Sequence, residues 1–380
     1  MIRVSNQSQL AAALRGQQPS IQITADFPLA SQINILYEVT IESLSPNSPR
    51  TLFKDPGYDG FLFRIFGGGA LHLTNITLDG RSEEHDPNSA LARSLICVAD
   101  GSLCLDTQSV LKNNSSSSDG GGVLICGGSG CTNRFEMIGN ARITGCSAQV
   151  NGGGIAASGQ SRITFLSGSI RGNHASHYGG GVWLRDRSVF AMCGGSVLDN
   201  HAFYGGGFYN DAGAGLLLTD GTVSRNSAEA GGGIYNSEQS CTTLSSAGDL
   251  GGEGDNDAAL YAPGIYNSGD LRAENMREIT NGVYLSSRSS VVRIVGPLAP
   301  ESQIQIDGSG YVSPNDAGIP IVIAESALPC GQLTETDRKS FLKPPSGFDG
   351  WDIQLSGDMT QVLLVPPGYG SREAEKSRVS

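Results

Sequence analysis

A triple glycine that returns at a nearly constant spacing is the strongest constraint on the fold of this chain. The third glycines of four copies are Gly154, Gly181, Gly207 and Gly233, which lie 27, 26 and 26 residues apart. Three copies also carry an asparagine five or six positions before the first glycine, at Asn173, Asn200 and Asn226. A fixed period of this length, punctuated by glycine, indicates a stacked repeat architecture.

The residues between the glycines have the alternation of strands. Val182 and Leu184 are followed by Val189 and Ala191, whereas a helical repeat would place apolar residues at i, i+3, i+4 and i+7. The pattern therefore predicts an all-β chain, folded as a right-handed parallel β-helix with three sheets and about 26 residues per coil. The glycines would form a corner with positive φ and no room for a Cβ. The asparagines would stack inside as an amide ladder.

We expect a single β-helix domain at residues 1–367, followed by a polar tail at 368–380 that is loosely ordered or vector-derived. The parts of the predicted β-helix domain are an N-terminal cap at 1–20, coils at 21–310 and a C-terminal cap at 311–367. SNQSQLAAALRG (5–16) has apolar residues on one face and predicts a short capping helix. GFDGWDIQLSGDMTQVLLVPP predicts a closing β cap anchored by Trp351. Solenoids need such caps to cover their end coils.

Charge and hydropathy exclude two classes of partner. The formal net charge is −12, and only 16% of residues are charged, so nucleic acid, which needs a basic face, is not an expected partner. No apolar run approaches the roughly 18 residues of a membrane helix, so we expect no membrane insertion by this chain. Met1 leads into predicted structure without a signal peptide. If the protein is exported, we expect its signal and anchor to lie outside this chain.

The repeat motif carries a family resemblance. The pairing of GGGI, GGGV or GGGF with G-S/T-I/V-x-x-N, over roughly residues 100–290, resembles the repeats of chlamydial polymorphic outer-membrane proteins and of cell-surface β-helix proteins of Gram-positive gut bacteria. The resemblance implies a bacterial adhesin-like module, secreted or at the cell surface, that binds a glycan or a host or partner surface protein. It also implies a monomeric module of a larger surface protein. We recognise neither a translocating barrel nor a wall-sorting signal here, so an extracellular location is implied by the resemblance alone.

An aromatic column is the candidate binding surface. By strand alternation, the residue after each inward position that follows a glycine corner should point outward. Those residues are Trp183, Tyr209, Tyr235, Tyr266 and Tyr284, and they are flanked by Tyr178 and Tyr204. A flat row of rings with hydroxyl edges would suit a glycan chain or an extended partner segment, because interfaces are enriched in such side chains. The alternative is that the rings stack on one another for stability.

The cysteines suggest a disulfide. LICVADGSLC places Cys97 and Cys104 in a pattern that LICGGSGC repeats with Cys126 and Cys131, 29 residues later. If these are consecutive coils, Cys97 lies beside Cys126 at disulfide distance, and a hairpin bond from Cys126 to Cys131 is the other pairing. The alternative is that the cysteines only fill inward sites. The absence of a CxxC pair makes a zinc site unexpected.

Two polar excursions interrupt the repeats. RSEEHDPNSA (81–90) is interpreted as an acidic surface loop. GGEGDNDAA (251–259) is similar to a calcium-binding nonapeptide, with Asp255 and Asp257 as candidate ligands, but Asn256 stands where an aspartate is required. A solvated loop without a cofactor is favoured, and calcium is the alternative. His174 and His201 occupy equivalent positions in neighbouring coils but lack a third metal ligand.

An enzyme is the alternative function, because parallel β-helices also host polysaccharide lyases and glycoside hydrolases. Hydrolysis needs two carboxylates in one cleft, about 5 to 9.5 Å apart. The acids of the repeats fall in different parts of the coil: Asp186, Asp199, Asp211, Asp220 and Glu229. We therefore assign no catalytic residue and favour a non-enzymatic role.

Overall fold

The structure is a computed structural model that describes residues 1–45, 47–86, 89–128, 130, 132–245, 249–250, 255–276, 278–307, 319–328, 331–343 and 348–369. Cys131, the predicted start of the C-terminal cap at 311 and the tail from 370 onward lie outside the described residues.

Strands make up most of the described chain. They are Ile2–Val4, Ser20–Ile23, Phe27–Leu29, Ile33–Ile35, Glu38–Ser43, Arg50–Lys54, Phe63–Thr74, Ile76–Asp79, Ile96–Asp106, Val110–Lys112, Ser115–Ser116, Val123–Ile125, Asn133–Met137, Arg142–Thr144, Ser147–Ala148, Ile155–Ala157, Ser161–Phe165, Ser169–Arg171 and His174–Ala175.

The strands of the second half are Val182–Leu184, Val189–Leu198, Phe208–Asn210, Gly215–Ser224, Ser227–Ala230, Ile234–Asn236, Cys241–Ser245, Asp249–Leu250, Asp257–Tyr261, Ile265–Asn267, Asp270–Glu274, Glu278–Leu285, Val292–Ile294, Gln303–Asp307, Ile321–Ser326, Phe341–Leu342, Asp352–Leu355 and Gln361–Val365. The helices are Gln7–Arg15 and Glu335–Lys339, with one 3-10 turn at Ser82–Glu84. Among the described residues, neither helix is long and apolar enough to cross a membrane.

The pairing of the strands follows the repeat. Ile155 lies opposite Val182, Val182 opposite Phe208, and Phe208 opposite Ile234, all in parallel register. Stacked in this way, the strands form one large, mostly parallel sheet that nearly closes on itself. Their inward side chains form one continuous apolar core. The all-β prediction is confirmed, and the arrangement is consistent with a β-helix.

The glycine corners stack in a column, as predicted. The backbone N–H of Gly154 donates to the carbonyl oxygen of Gly181 at 3.1 Å, and a Cβ on Gly181 would lie 2.7 Å from the carbonyl oxygen of Gly207. In the four repeat copies, positive φ is confined to the first glycine of each triple, as at Gly205 with φ of +67°. The second and third glycines are required for space, because the next coil's backbone occupies the position of a Cβ.

The predicted asparagine ladder is also present. The amide of Asn173 donates to the side-chain oxygen of Asn200 at 3.0 Å, and that of Asn200 donates to Asn226 at 2.9 Å. Asn226 donates in turn to Asn256 at 3.0 Å. Asn256 therefore belongs to the ladder, so its place in GGEGDNDAA reflects this inward position. These buried amides are satisfied by one another and by backbone carbonyls, which avoids the free-energy penalty of unpaired polar groups.

Both ends of the sheet are covered. The expected helix at Gln7–Arg15 begins after Asn6, whose side chain accepts a hydrogen bond from the N–H of Gln9, and it buries Leu10, Ala13 and Leu14. At the other end, Asp352–Leu355 and Gln361–Val365 form an antiparallel pair, which continues onto Ile321–Ser326. Trp351 packs edge-on against Phe348 at 5.4 Å. The helix Glu335–Lys339 was not predicted, although Thr334 and Asp337 form a capping box at its start.

The loop predicted at 81–90 is fixed to the preceding coil at several points. Nδ1 of His85 lies 3.1 Å from a carboxylate oxygen of Asp59, and the hydroxyl of Ser89 donates to the other oxygen at 2.5 Å. The guanidinium of Arg81 stacks over the ring of Phe53 at 3.5 Å. The loop is therefore more tightly attached than its polar composition suggests.

The glycine corner makes a direct prediction about stability. A Cβ on Gly206 would lie 2.5 Å from the carbonyl oxygen of Ser227 and 2.6 Å from that of Gly232. Because backbone atoms cannot move aside cheaply, Gly206→Ala should lower the free energy of unfolding by about 3 kcal/mol in urea denaturation. Gly128→Ala is the control, since a Cβ at Gly128 meets no atom of the described residues within 4 Å, and it should change stability by less than about 0.5 kcal/mol. Equal losses in the two variants would contradict the corner.

Candidate functional site

The aromatic residues that follow the glycine corners form a continuous ladder. Trp183, Tyr209, Tyr235, Tyr266 and Tyr284 lie opposite one another in successive strands. The ring centroids of Tyr209 and Tyr235 are 4.8 Å apart with planes at 7°, and those of Tyr235 and Tyr266 are 4.5 Å apart at 11°. The predicted column of one ring per coil is therefore present, and we call it the aromatic ladder.

The stacking changes what the aromatic ladder offers to a ligand. Rings that stack face to face cover each other's faces, so their edges and hydroxyl groups are what remains available. Trp183 is 5% exposed, Tyr209 is 9% exposed and Tyr284 is 5% exposed, while Tyr235 and Tyr266 are half-buried. The prediction of a flat exposed row is wrong for Trp183, Tyr209 and Tyr284, because neighbouring side chains enclose each ring. Tyr209 and Tyr284 stack on neighbouring rings, so the stacking interpretation holds for them, whereas Trp183 is buried in an apolar cluster with Ala156 and Tyr209.

A second set of rings packs against the aromatic ladder from the other side of the glycine corner. Tyr178 and Tyr204 pair with each other in successive coils. The ring of Tyr178 stacks on Tyr209 at 4.5 Å, and that of Tyr204 packs on Tyr235 at 5.3 Å. The two predicted flanking residues are therefore brought to the ladder. They pack against the buried side chains of Ala156, Trp183 and Tyr209, which form a small apolar cluster separate from the main core.

Three hydroxyl groups of the aromatic ladder are neutral. Burial raises the pKa of Tyr209 and of Tyr235, and it raises the pKa of Tyr284 to about 12. These three residues therefore present uncharged phenols that can donate and accept hydrogen bonds at neutral pH.

A groove of about 900 Å³ runs beside the aromatic ladder. The rings of Tyr209, Tyr235 and Tyr266 line one side, and turns of successive coils supply the other lining residues: Asp211, Ala212, Ser237, Glu238, Gln239, Ser268, Ser286, Ser287 and Ser289. The hydroxyls of Ser268 and Ser286 are 2.8 Å apart. This volume falls in the range of known ligand sites, about 300 to 1,000 Å³.

The groove brings Asp211 together with Glu238, a carboxylate that sequence reasoning did not consider. Asp211 and Glu238 lie in neighbouring coils and line the same groove. Asp211 accepts a hydrogen bond from the N–H of Ala212 at 2.8 Å. Neither carboxylate forms an ion pair with a basic side chain in the described part of the chain. The sequence signal for the groove was the serine-rich segment SSRSS at 286–290. This segment could be recognised as part of a groove only after the turns of neighbouring coils were stacked.

A second amide ladder supports the site and was missed by sequence reasoning. The side chain of Asn210 donates to that of Asn236 at 3.1 Å, and Asn236 donates to Asn267 at 2.8 Å. Each of these buried asparagines directly follows a ring of the aromatic ladder. The signal was the repeated FYN, IYN and IYN. This second asparagine ladder fixes the register of the turns that line the groove.

The predicted register of the cysteines is wrong. Leu124 lies opposite Cys97, so Cys126 is displaced by two residues. Both thiols are free in this structure. The offset separates their Cα atoms by about 8 Å, which exceeds the usual disulfide range. A bond between them therefore needs a backbone shift and stays a prediction. Cys104 is also a free thiol, and the pairing of Cys126 with Cys131 lies outside the described residues.

The candidate metal ligands have other partners. A carboxylate oxygen of Asp255 accepts a hydrogen bond from the amide of Asn281 at 2.8 Å, and Asp257 lies in the strand Asp257–Tyr261. The rings of His174 and His201 stack 5.2 Å apart with planes at 9°. Within the described ranges, no group of three or more histidine, cysteine, aspartate or glutamate side chains is placed to hold a metal ion.

Comparison with known proteins adds no family assignment, because no protein-family model and no curated protein matches this chain.

The enclosed position of Trp183 predicts a large effect of its removal. Trp183→Ser should lower the free energy of unfolding by about 3 kcal/mol or more, because it opens a cavity in the small apolar cluster. The matched control is Phe203→Ser, since Phe203 is 49% exposed and should cost less than about 1 kcal/mol. Urea denaturation of both variants measures the difference. Equal small losses would show that the aromatic ladder contributes little to the fold.

The thiol pair predicts an order of reactivity. The interaction between the two thiols raises the pKa of Cys97 and lowers that of Cys126, burial adds to the raised pKa of Cys97, and Arg64 favours both thiolates. Because the thiolate is the nucleophile, iodoacetamide at about pH 7.5 should alkylate Cys126 before Cys97. Peptide mass spectrometry over time measures the order, and faster alkylation of Cys97 would contradict it. The same peptides, after treatment with oxidised glutathione, test the predicted disulfide.

Proposed function

We propose that this chain is a non-enzymatic, adhesin-like binding module of a bacterial surface, and that the groove beside the aromatic ladder binds a glycan chain or an extended protein segment. The observation that carries the proposal is the lining of the groove. Five serines, a glutamine and the half-buried Tyr235 and Tyr266 face one space of about 900 Å³.

A glycan is the favoured ligand because its chemistry matches this lining. Sugars carry many hydroxyls, each of which donates one hydrogen bond and accepts others, and serine and tyrosine hydroxyls offer the same capacity. Equivalent turns of successive coils follow one another at about 4.8 Å along the stack. A chain that lies along this direction would meet a similar set of groups at each step. A single small molecule would use only part of the groove.

The finer architecture is part of the proposal. We infer a right-handed coil with three sheets, supported by the parallel register of successive strands and by the strong preference of parallel crossover connections for the right hand. Display at the cell surface or secretion, within a larger surface protein that the module serves as a monomer, is supported by the resemblance of the repeat motif. The net charge of −12 supports a partner other than nucleic acid.

The test removes hydroxyls and keeps the stacked rings. Tyr235→Phe combined with Tyr266→Phe should weaken glycan binding at least tenfold, on a glycan array and by calorimetry, because a site built on hydroxyls loses two partners. The melting temperature should fall little, since both rings remain. Tyr261→Phe is the matched control, because Tyr261 packs near the ladder but does not line the groove. Unchanged binding in the double variant would refute the site.

A glycoside hydrolase is the second candidate function, and Asp211 and Glu238 in one groove favour it. Hydrolysis uses one carboxylic acid to protonate the leaving oxygen and one carboxylate as nucleophile or base. The test is the release of reducing ends from neutral polysaccharides, with Asp211→Asn and Glu238→Gln as variants. Turnover that both substitutions abolish would establish the enzyme. Binding without turnover supports the adhesin-like module.

A further inference from the structure

We propose that this groove selects ligands by charge, accepting neutral and positively charged glycans and rejecting glycans that carry carboxylates or sulfates. The inference rests on the proposed function, since it concerns which glycans enter the groove. It follows from the charges that surround the aromatic ladder.

The carboxylates are placed where a ligand would lie. Asp211 and Glu238 line the groove, and one oxygen of Asp211 lies 3.5 Å from the hydroxyl of Ser237. Asp211 is near enough to the Tyr209 hydroxyl that its charge contributes, after burial, to raising the pKa of that phenol. A ligand that contacts the ladder edge at Tyr209 is therefore within the field of this carboxylate.

The negative charge continues to the end of the aromatic ladder. Asp307 lies opposite Tyr284 in the next strand, and its charge also contributes to the raised pKa of Tyr284. Carboxylates thus lie beside the rings both at Tyr209 and at Tyr284, where Asp307 also has an interaction of its own.

Basic groups are scarce at the groove. Among the described residues, every side chain that lines it is neutral or acidic. Arg185, near the start of the ladder, lies 3.6 Å from Asp186. Arg288 stands between two lining serines, has an interaction of its own and does not line the groove. The groove therefore has a net negative charge.

The physical consequence differs for the three ligand classes. An anionic sugar would bring like charges within a few ångströms of Asp211 and Glu238, which form no ion pair with a basic side chain in the described part of the chain, and water screens these charges only in part. A neutral sugar can donate hydroxyl hydrogen bonds to the same carboxylates, and an ammonium group forms a stronger, charge-assisted hydrogen bond. The order of affinity should be cationic, then neutral, then anionic.

The experiment uses three forms of one backbone. Hexamers of chitosan carry amines, their N-acetylated form is neutral, and their N-succinylated form is anionic. Calorimetry with the complete chain, in a weakly acidic buffer of low ionic strength in which the amines are protonated, should show a loss of affinity of about tenfold at each step of this series. Higher salt should reduce the differences.

A charge-neutralised variant identifies the source of the preference. Asp211→Asn with Glu238→Gln should remove the advantage of the amine form and allow the succinylated hexamer to bind about as well as the acetylated one. Asp186→Asn with Glu229→Gln is the control, because it removes the same net charge outside the groove and should leave the order unchanged.

The outcomes separate this inference from the proposed function. Equal affinity of the unmodified protein for all three hexamers overturns charge selection and leaves the groove as the binding site. A preference that persists in the Asp211 and Glu238 variant also overturns it, because the selecting charge then lies elsewhere. Failure of all three hexamers to bind contradicts the glycan groove itself, and charge selection fails with it.

Discussion

The close approach of backbone to backbone at the glycine corners is the constraint on which the rest of the structure depends. Successive coils hydrogen-bond directly through these corners, as where the N–H of Gly207 meets the carbonyl of Gly232 at 3.0 Å. A side chain at the second or third glycine would separate the coils and break the register of every strand beside it. The buried amides of Asn173, Asn200 and Asn226 then fix that register from the inside, because each side chain bonds both the backbone and the amide of a neighbouring coil.

The register set at the corners has a consequence on the outer face. The aromatic ladder starts directly after the corners, so rings in neighbouring coils are held at the rung spacing of about 4.8 Å. At that distance parallel rings stack, and their faces become part of the fold. What remains for a ligand is the row of edges and hydroxyls and the groove formed by the turns beyond them. The same geometry that stabilises the stack therefore determines the chemistry of the candidate site.

Much of the fold was predictable because it repeats. The period placed Gly181 above Gly207 and Asn200 above Asn226, and the structure agrees. The sequence analysis placed Asn256 in a calcium-type loop and not in the asparagine ladder. The reason is that the insertion after Ser245 lengthens this coil, so that 30 residues separate Asn256 from Asn226. Cys97 and Cys126 were misaligned for a related reason: similar local motifs do not guarantee equal positions in the register. Residues in similar local motifs are no longer opposite one another in space wherever the length of a coil changes.

The candidate site was less predictable than the fold. Strand alternation identified the side of the sheet on which Tyr209 and Tyr235 lie, but it carries no information about how rings in adjacent coils enclose one another. The groove depends on turns from four places in the sequence, around Asp211, Glu238, Ser268 and Ser287. No single stretch contains the lining, so its hydroxyls and carboxylates became a site only after the coils were stacked.

Hydrogen exchange of backbone amides, with and without a bound glycan hexamer, tests the central claim most directly. The claim is that a chain lies in the groove along the aromatic ladder. With the tightest-binding chitosan-derived hexamer at saturation, exchange should slow in the turns at 211–213, 237–239 and 286–290 and stay unchanged in the remainder of the described chain. Slowed exchange confined to another face, or no slowing despite measured binding, would contradict the account.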